Sequence, residues 1–394
     1  MRVDRNELSG AFGDIGTDLP LIIGMILTAG LHPASVLTTF GLLLIAAALF
    51  YRIPMPVQPL KAVAALVIAG GVTGSTIYGA GLAIGLTMLA LTATGLLDRF
   101  ARVIPKTVVR GIQFGLGAKL SLIALTRFVP ADGPQGLVLA IISFAVVVSL
   151  FGNRKYPPAL FVIGIGLLYA FVFRLEVPGL RSSIGFALPR IPRFGTSDVL
   201  QGFLILAIPQ IPLSLGNSII ATKQIAKDLF PREEITIRKI GFTYSILNIL
   251  APFVGGIPVC HGSGGIAGCH AFGARTSASV AIYGSLFVLL GLFFSAGFRD
   301  IVRIFPLPTL GILLLSQGLV LMRLVGKTAG SKSDLSIAIL VGLLAAGLPY
   351  GFLIAIVVGT AAVHLLKRLP RTPERPEAPA TVPVYVTRAE TDDI

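Results

Sequence analysis

Apolar residues run along this chain in stretches too long for the one-sided helices of a water-soluble domain. Reading those runs against breaks of charge, Gly or Pro predicts about fourteen spans, most near the roughly 20 residues that cross a bilayer. They lie at 9–30, 34–51, 56–70, 76–97, 105–126, 134–151, 157–174, 198–221, 236–253, 257–270, 277–297, 303–322, 333–347 and 350–367. Asp4 and Glu7 precede the first run and fit the basic leader of a signal peptide poorly, so that span is expected to be retained. The pattern predicts an all-α integral membrane protein.

Two spans are short and interrupted, and they share a grammar. The third opens Ile53-Pro54-Met55-Pro56-Val57-Gln58-Pro59-Leu60-Lys61, and the tenth opens Gly255-Gly256-Ile257-Pro258-Val259-Cys260-His261-Gly262-Ser263-Gly264-Gly265. Each sets a Pro-Val pair before a side chain other than the aliphatic ones, then a short stretch able to form helix. Spans one and eight match as well: Asp14-Ile15-Gly16-Thr17-Asp18-Leu19-Pro20 and Pro209-Gln210-Ile211-Pro212-Leu213-Ser214 are polar near mid-span. The order recurs in the second half of the chain. Seven spans per copy is an odd number, so the second copy is expected to be inverted in the membrane.

Interrupted segments at matching places in inverted repeats point to a transporter's binding site. Backbone without a helical ladder is tolerated at membrane depth only where protein or a watery cavity satisfies it. A helix that begins after such a break presents free N–H groups and the positive end of its dipole. Two such tips facing each other would make an anion site.

Composition agrees. The chain has 394 residues, 54% hydrophobic and 13% charged, with mean hydropathy +0.88. Soluble domains carry about 25% charged residues, so a disordered protein is excluded and a soluble multi-domain enzyme is not expected. The formal charge of +14 is explained by topology. With the N-terminus inside, the inner loops collect Arg99, Arg102, Lys106, Arg154, Lys155, Lys223, Lys227, Arg232, Arg238, Lys239, Arg323, Lys327 and Lys332, as the positive-inside tendency requires. Nucleic acid is not needed as a partner. Arg174, Arg181, Arg190 and Arg193 fall outside and are the weak point of this orientation. Residues from Pro370 are Pro-rich, lack apolar periodicity and are expected to form a disordered cytoplasmic tail.

The stretches GDIGTDLP, PMPVQPLKA, PQIPLSLGNS and PVCHGSGGIAG, with FGART after the last, resemble the prokaryotic molybdate/sulfate-type permeases related to the SulP anion transporters. The resemblance covers roughly residues 9–367. It implies a seven-plus-seven inverted repeat in which 1–98 and 198–297 form a core domain, 99–197 and 298–368 a gate domain, and 369–394 a tail. Transport would move core against gate, with molybdate as substrate and sulfate or tungstate as weaker competitors. The family pattern also implies His-Tyr-Arg before FGART, where this chain has Cys269-His270-Ala271, so those positions should carry no family-wide chemistry.

Individual residues follow from these motifs. Lys61 falls in the first turn of the third span's half-helix, where the dipole disfavours a cation and intramembrane charge is costly. An oxyanion would offset both, as would an ion pair with Asp14 or Asp18. Asp14 and Asp18 lie four apart, on one helix face, and are the acids placed within a span. Beside a dianion each must be protonated or paired, making them candidates for coupling transport to protons; a helix cap is the other reading of Asp14. Gln58 and Gln210 are neutral amides able to donate to oxyanion oxygens. Cys260, His261, Gly262, Ser263 and Gly264 would provide the donor nest of the tenth span, with Thr17 and Val57 completing the expected lining. Asn217 is read as helix packing.

Cys260, His261, Cys269 and His270 lack the short ligand spacing of zinc sites, and no metal or cofactor is expected. There is no GxxxxGK[ST] loop for ATP and no HExxH or GxSxG motif for hydrolysis. The reading is a secondary-active oxyanion permease of the inner (plasma) membrane, both termini cytoplasmic, with the oligomeric state left open, a homodimer included. The rivals are a sulfate, bicarbonate or nucleobase carrier of the same fold, or a passive anion channel.

Overall fold

Each predicted span has a helical counterpart in the computed structural model, which describes residues 4–97, 99, 105–150, 158–173, 185–295, 297, 306–348 and 351–368. The first half contains α1 (Arg5–Ala11), α2 (Ile15–Ala29), α3 (Pro33–Phe50), β1 (Val57–Pro59), α4 (Lys61–Ala69), α5 (Gly74–Ala93), α6 (Lys106–Phe128), α7 (Gly133–Ser149) and α8 (Pro158–Phe173). The second contains α9 (Thr196–Leu229), α10 (Ile237–Leu250), β2 (Val259–His261), α11 (Ser263–Ala271), α12 (Ala278–Phe293), α13 (Leu307–Arg323), α14 (Lys332–Gly347) and α15 (Gly351–Arg368). By length and composition α3, α5, α6, α9 and the α13 segment Leu307–Thr328 could each cross a membrane alone. The expected tail, and Arg102, Arg154, Lys155, Arg174 and Arg181 of the orientation argument, lie outside the described residues.

The halves are intertwined. α3 packs on α12, and α5 packs on α10, so the second and fourth spans of one half meet the fourth and second of the other. Small residues permit this closeness: a Cβ on Gly41 would strike the Gly284 carbonyl, and one on Gly85 would strike the backbone at Ile249. α6 packs along both α13 and α14.

At the centre, β1 and β2 form an antiparallel pair with Val57 opposite His261, Gln58 opposite Cys260 and Pro59 opposite Val259. The Pro-Val repeat makes Gln58 and Cys260 equivalent positions, and it is those two that face each other. Lys61 and Ser263, equivalent in the same alignment, are the first residues of α4 and α11. A two-fold relation between inverted halves requires this. Proline prevents helix here by removing donors, and the unwound backbone is satisfied from the side. Asn248 of α10 clamps Val259, donating Nδ2 to its carbonyl at 2.7 Å and accepting its N–H at 2.9 Å. Leu60 N–H donates to the Pro258 carbonyl at 3.1 Å.

Two boundaries differ from those the hydropathy predicts. The first span is not one helix over 9–30: α1 ends at Ala11 and α2 begins at Ile15. Gly13 between them presses on the backbone of Gly268 and Cys269, a tertiary contact that hydropathy does not report. The eighth span runs on to Leu229 instead of ending near 221. Its prolines 209 and 212 are absorbed by wide i→i+5 turns at Phe203–Ala207 and Ser214–Ala221, so the helix continues through them.

Candidate functional site

The two half-helices begin at either end of the β1–β2 pair, and their tips differ in what faces them. The α4 tip is already capped. Gln210, buried on α9, accepts from the Ala62 N–H at 2.9 Å and the Val63 N–H at 3.4 Å through Oε1. Its Nε2 donates to Ser214 Oγ at 3.0 Å, and that hydroxyl meets the Tyr244 hydroxyl at 2.7 Å. The amide expected as a substrate donor therefore stands where an anion at this tip would stand.

The α11 tip is open. Gly262 is its N-cap and provides no side chain to close it. Ser263 is half-exposed and Gly264 exposed, and a Cβ on Gly264 would meet nothing within 4 Å. Ser263 donates to Asn217 Oδ1 at 3.3 Å, and both residues line a cavity of about 330 Å³. That is at the small end of the roughly 300–1,000 Å³ typical of ligand pockets. One wall is the wide turn of α9, with Leu215, Gly216, Asn217 and Ile220; the facing wall is α6 and the turn after α13.

The remaining expected residues lie behind this wall. Asp14, Asp18, Val57, Gln58, Cys260, His261 and Gly262 are buried, and Thr17 and Lys61 half-buried; none lines the cavity. Gln58 Nε2 donates to Asp14 Oδ2 while its Oε1 is left without a partner. Asp14 occupies the N-cap position of α2, yet its side chain caps nothing there. Asp18 is fully buried, with the Tyr283 hydroxyl as the polar group beside its carboxylate. Lys61 is the cation whose field reaches both acids. His261 has both ring nitrogens engaged, Nε2 with Thr243 Oγ1 at 3.0 Å and Nδ1 with the Pro56 carbonyl at 3.3 Å. Gly262 and Gly265 are small because neighbours demand it: a Cβ on the first would overlap the Gln58 amide, and one on the second would sit 2.5 Å from Asp14 Oδ2.

Sequence reasoning missed other residues. Lys106, Arg110, Gln113 and Lys327 line the cavity, whereas the sequence singles out only the two lysines, as loop charge. Their spacing on α6 was the available signal: 106, 109, 110 and 113 share one helical face. Asn217, read as packing, is also a lining residue. Glu7, placed before the first span, is 3% exposed and caps α12. Its Oε1 accepts from the amides of Arg275 at 2.8 Å and Thr276 at 2.9 Å, and Oε2 from Ser279 at 3.1 Å. The FGART motif thus folds around a buried carboxylate.

A family model described as "Molybdate transporter of MFS superfamily" matches residues 6–120 and 202–321. Among curated relatives, Molybdate transporter 2 of Arabidopsis thaliana is 33% identical over 84% of this chain and 80% of its own length. Molybdate transporter 1 of the same plant is 29% identical over 83% and 81%, and Molybdate transporter 1 of Chlamydomonas reinhardtii is 27% identical over 91% of each. These are plant and algal proteins, so the restriction to prokaryotes has no support. Among solved structures, the transmembrane domain of the cyanobacterial bicarbonate transporter BicA superposes with TM-score 0.66 at 16% identity, covering 91% of this chain and 96% of that one. Murine Slc26a9, an anion transporter captured inward-facing, gives 0.65 at 13%, covering 93% and 69%. Such identities speak for the fold alone. That fold is the inverted seven-span repeat with paired half-helices, not the six-span halves of the major facilitator superfamily that the family's description names. By the family model that matches most of its length and by these relatives, the chain belongs to the molybdate transporter family.

Proposed function

We propose that this protein is a secondary-active transporter of molybdate, a tetrahedral dianion, bound where the α11 tip opens into the cavity. The observation that carries this reading is the pairing of an uncapped half-helix N-terminus with a small, ligand-sized cavity whose lining contains no carboxylate among the described residues. Free N–H groups and the dipole favour an oxyanion there. Ser263 and Asn217 supply neutral polar groups that replace part of its water. Core segments 1–98 and 198–297 would carry this site past gate segments 99–197 and 298–368, and the cavity lies at their boundary.

The cavity adjoins Lys106 and Lys327, which the positive-inside rule puts on the cytoplasmic side. On that basis the conformation is inward-open and the termini are cytoplasmic; the plasma membrane is the location proposed with them. A homodimer in that membrane is part of the same proposal. Asp14 and Asp18 are the coupling candidates: both are buried acids, and the positive field reaching them is that of Lys61.

Uptake of radiolabelled molybdate into proteoliposomes with an imposed inward proton gradient tests this. Accumulation above equilibrium, competed by tungstate more than by nucleobases, is expected. Flux that only dissipates the molybdate gradient would make the protein a channel, and stronger competition by sulfate would reassign the substrate. Replacing Asp14 or Asp18 by Asn should abolish the response to the proton gradient. If both variants accumulate molybdate with unchanged pH dependence, neither acid couples.

A further inference from the structure

The wall of the cavity opposite the α11 tip carries charge that helix packing does not explain. Lys106, Arg110 and Gln113 stand on one face of α6, at positions i, i+4 and i+7, and Lys327 approaches from the turn after α13. Lys106 and Lys327 are exposed at the mouth, Arg110 is half-buried deeper in, and Gln113 is buried at 4% exposure. Three cations thus surround a space of about 330 Å³ with no acid in its lining among the described residues. Like charges gathered in a partly desolvated space repel one another, and a cation within a span is costly. Topology accounts for Lys106 and Lys327 at the mouth, but not for Arg110 deeper on the same face.

Arg110 is also oriented. Its Nη1 donates to Gln113 Oε1 at 2.8 Å, which uses one of the five N–H donors of the guanidinium. The bond holds the planar fork in place, and a fixed fork engages two oxygens of an oxyanion at once. Lys106 and Lys327, as flexible point charges at the mouth, raise the local anion concentration without fixing geometry.

We propose that Arg110, positioned by Gln113, is a direct ligand of the transported oxyanion and closes the site from the side facing the α11 tip, with Lys106 and Lys327 as its electrostatic entrance. This rests on the reading that the cavity is the transport site, and adds to it a ligand on the α6 wall. The anion then bridges two parts of the protein that must separate for the cavity to open on the other side. Occupancy is thereby coupled to movement, because a bound dianion holds the α6 wall to the α11 tip and an empty site does not.

Equilibrium binding of radiolabelled molybdate to the full-length protein in nanodiscs, over a series of salt concentrations, tests it. Arg110→Gln should weaken binding about tenfold or more, tenfold being about 1.4 kcal/mol. Arg110→Lys should recover less than half of that loss on a logarithmic scale, because a point charge replaces a fork. Lys106→Gln and Lys327→Gln should each weaken binding a few-fold at low salt and converge on wild type at high salt, as screening predicts. Melting temperature without ligand confirms that each variant is folded; if Arg110→Gln does not fold, Gln113→Leu, which frees the fork, should still weaken binding. Wild-type binding with unchanged affinity in Arg110→Gln overturns this inference and leaves the transport reading standing. A wild-type protein that binds neither molybdate, tungstate nor sulfate overturns the transport reading and this inference with it.

Discussion

Gln210 shows how one buried side chain makes two similar helix tips unlike. Its Oε1 satisfies two amides at the start of α4, so that tip is closed, while the equivalent end of α11 has only Gly262 before it. Gln210→Leu would leave those amides buried without acceptors, a loss of about 1–3 kcal/mol. The expected result is a lower melting temperature of the detergent-solubilised protein, with partial recovery in Gln210→Glu, which keeps the acceptor. Glu7 has the corresponding role for α12, accepting three backbone amides. Glu7→Ala should cost a comparable amount, and a melting temperature equal to wild type would show the cap to be dispensable. At this scale the sequence announced polar residues in the right segments but not their partners. Gln210 reads equally well as a free donor or a cap until α4 is placed against it.

Among elements, the crossed strands depend on α10 and the extended segment after Gly185 depends on the start of α3. Asn248 replaces the missing strand partner of Val259, so Asn248→Ala should destabilise the crossing by about 1–3 kcal/mol; loss of molybdate binding with a normal fold in Asn248→Asp would instead indicate a role in the site. At the α3 N-terminus, His32 Nδ1 meets Ser35 Oγ at 3.0 Å, and Ser35 Oγ accepts from the Arg190 N–H at 2.7 Å. Burial, then the positive charge of Arg190, holds His32 below the usual histidine range. The folded protein therefore prefers neutral His32, while the unfolded chain takes up a proton near pH 6.5. This contribution is present above about pH 6.5 and declines as pH falls towards the depressed folded value. Wild type should lose melting temperature on acidification through that window more than His32→Asn, which keeps an acceptor. Equal losses in the two would remove His32 from the account.

For the molecule as a whole, the cavity between the wide turn of α9 and the face of α6 predicts access from one side. Both native cysteines, Cys260 and Cys269, are buried, so a cysteine introduced at a lining position reports alone. Asn217→Cys should react with a membrane-impermeant maleimide applied to the cytoplasmic face, and molybdate should slow that reaction. Reaction from the opposite face alone would invert the proposed orientation. Moving parts of this size exchange between discrete packings and do not deform smoothly, so labelling from both faces during turnover is the expected sign of alternating access.

Membrane class, segment number, the repeat and the two interrupted segments were all readable from the amino-acid order. Each is a property of local hydropathy or of proline and glycine chemistry, which act over a few neighbours. The join at Gly13, the continuation of α9 to Leu229, the capping of α4 by Gln210 and the burial of Glu7 were decided only by the fold. So was the shift of the cavity away from Gln58 and His261 and towards Lys106, Arg110 and Lys327. Each depends on which helix stands opposite. A polar side chain's role is set by the partner that reaches it, and residues such as Ala62 and Gln210 become neighbours only when inverted halves interlock.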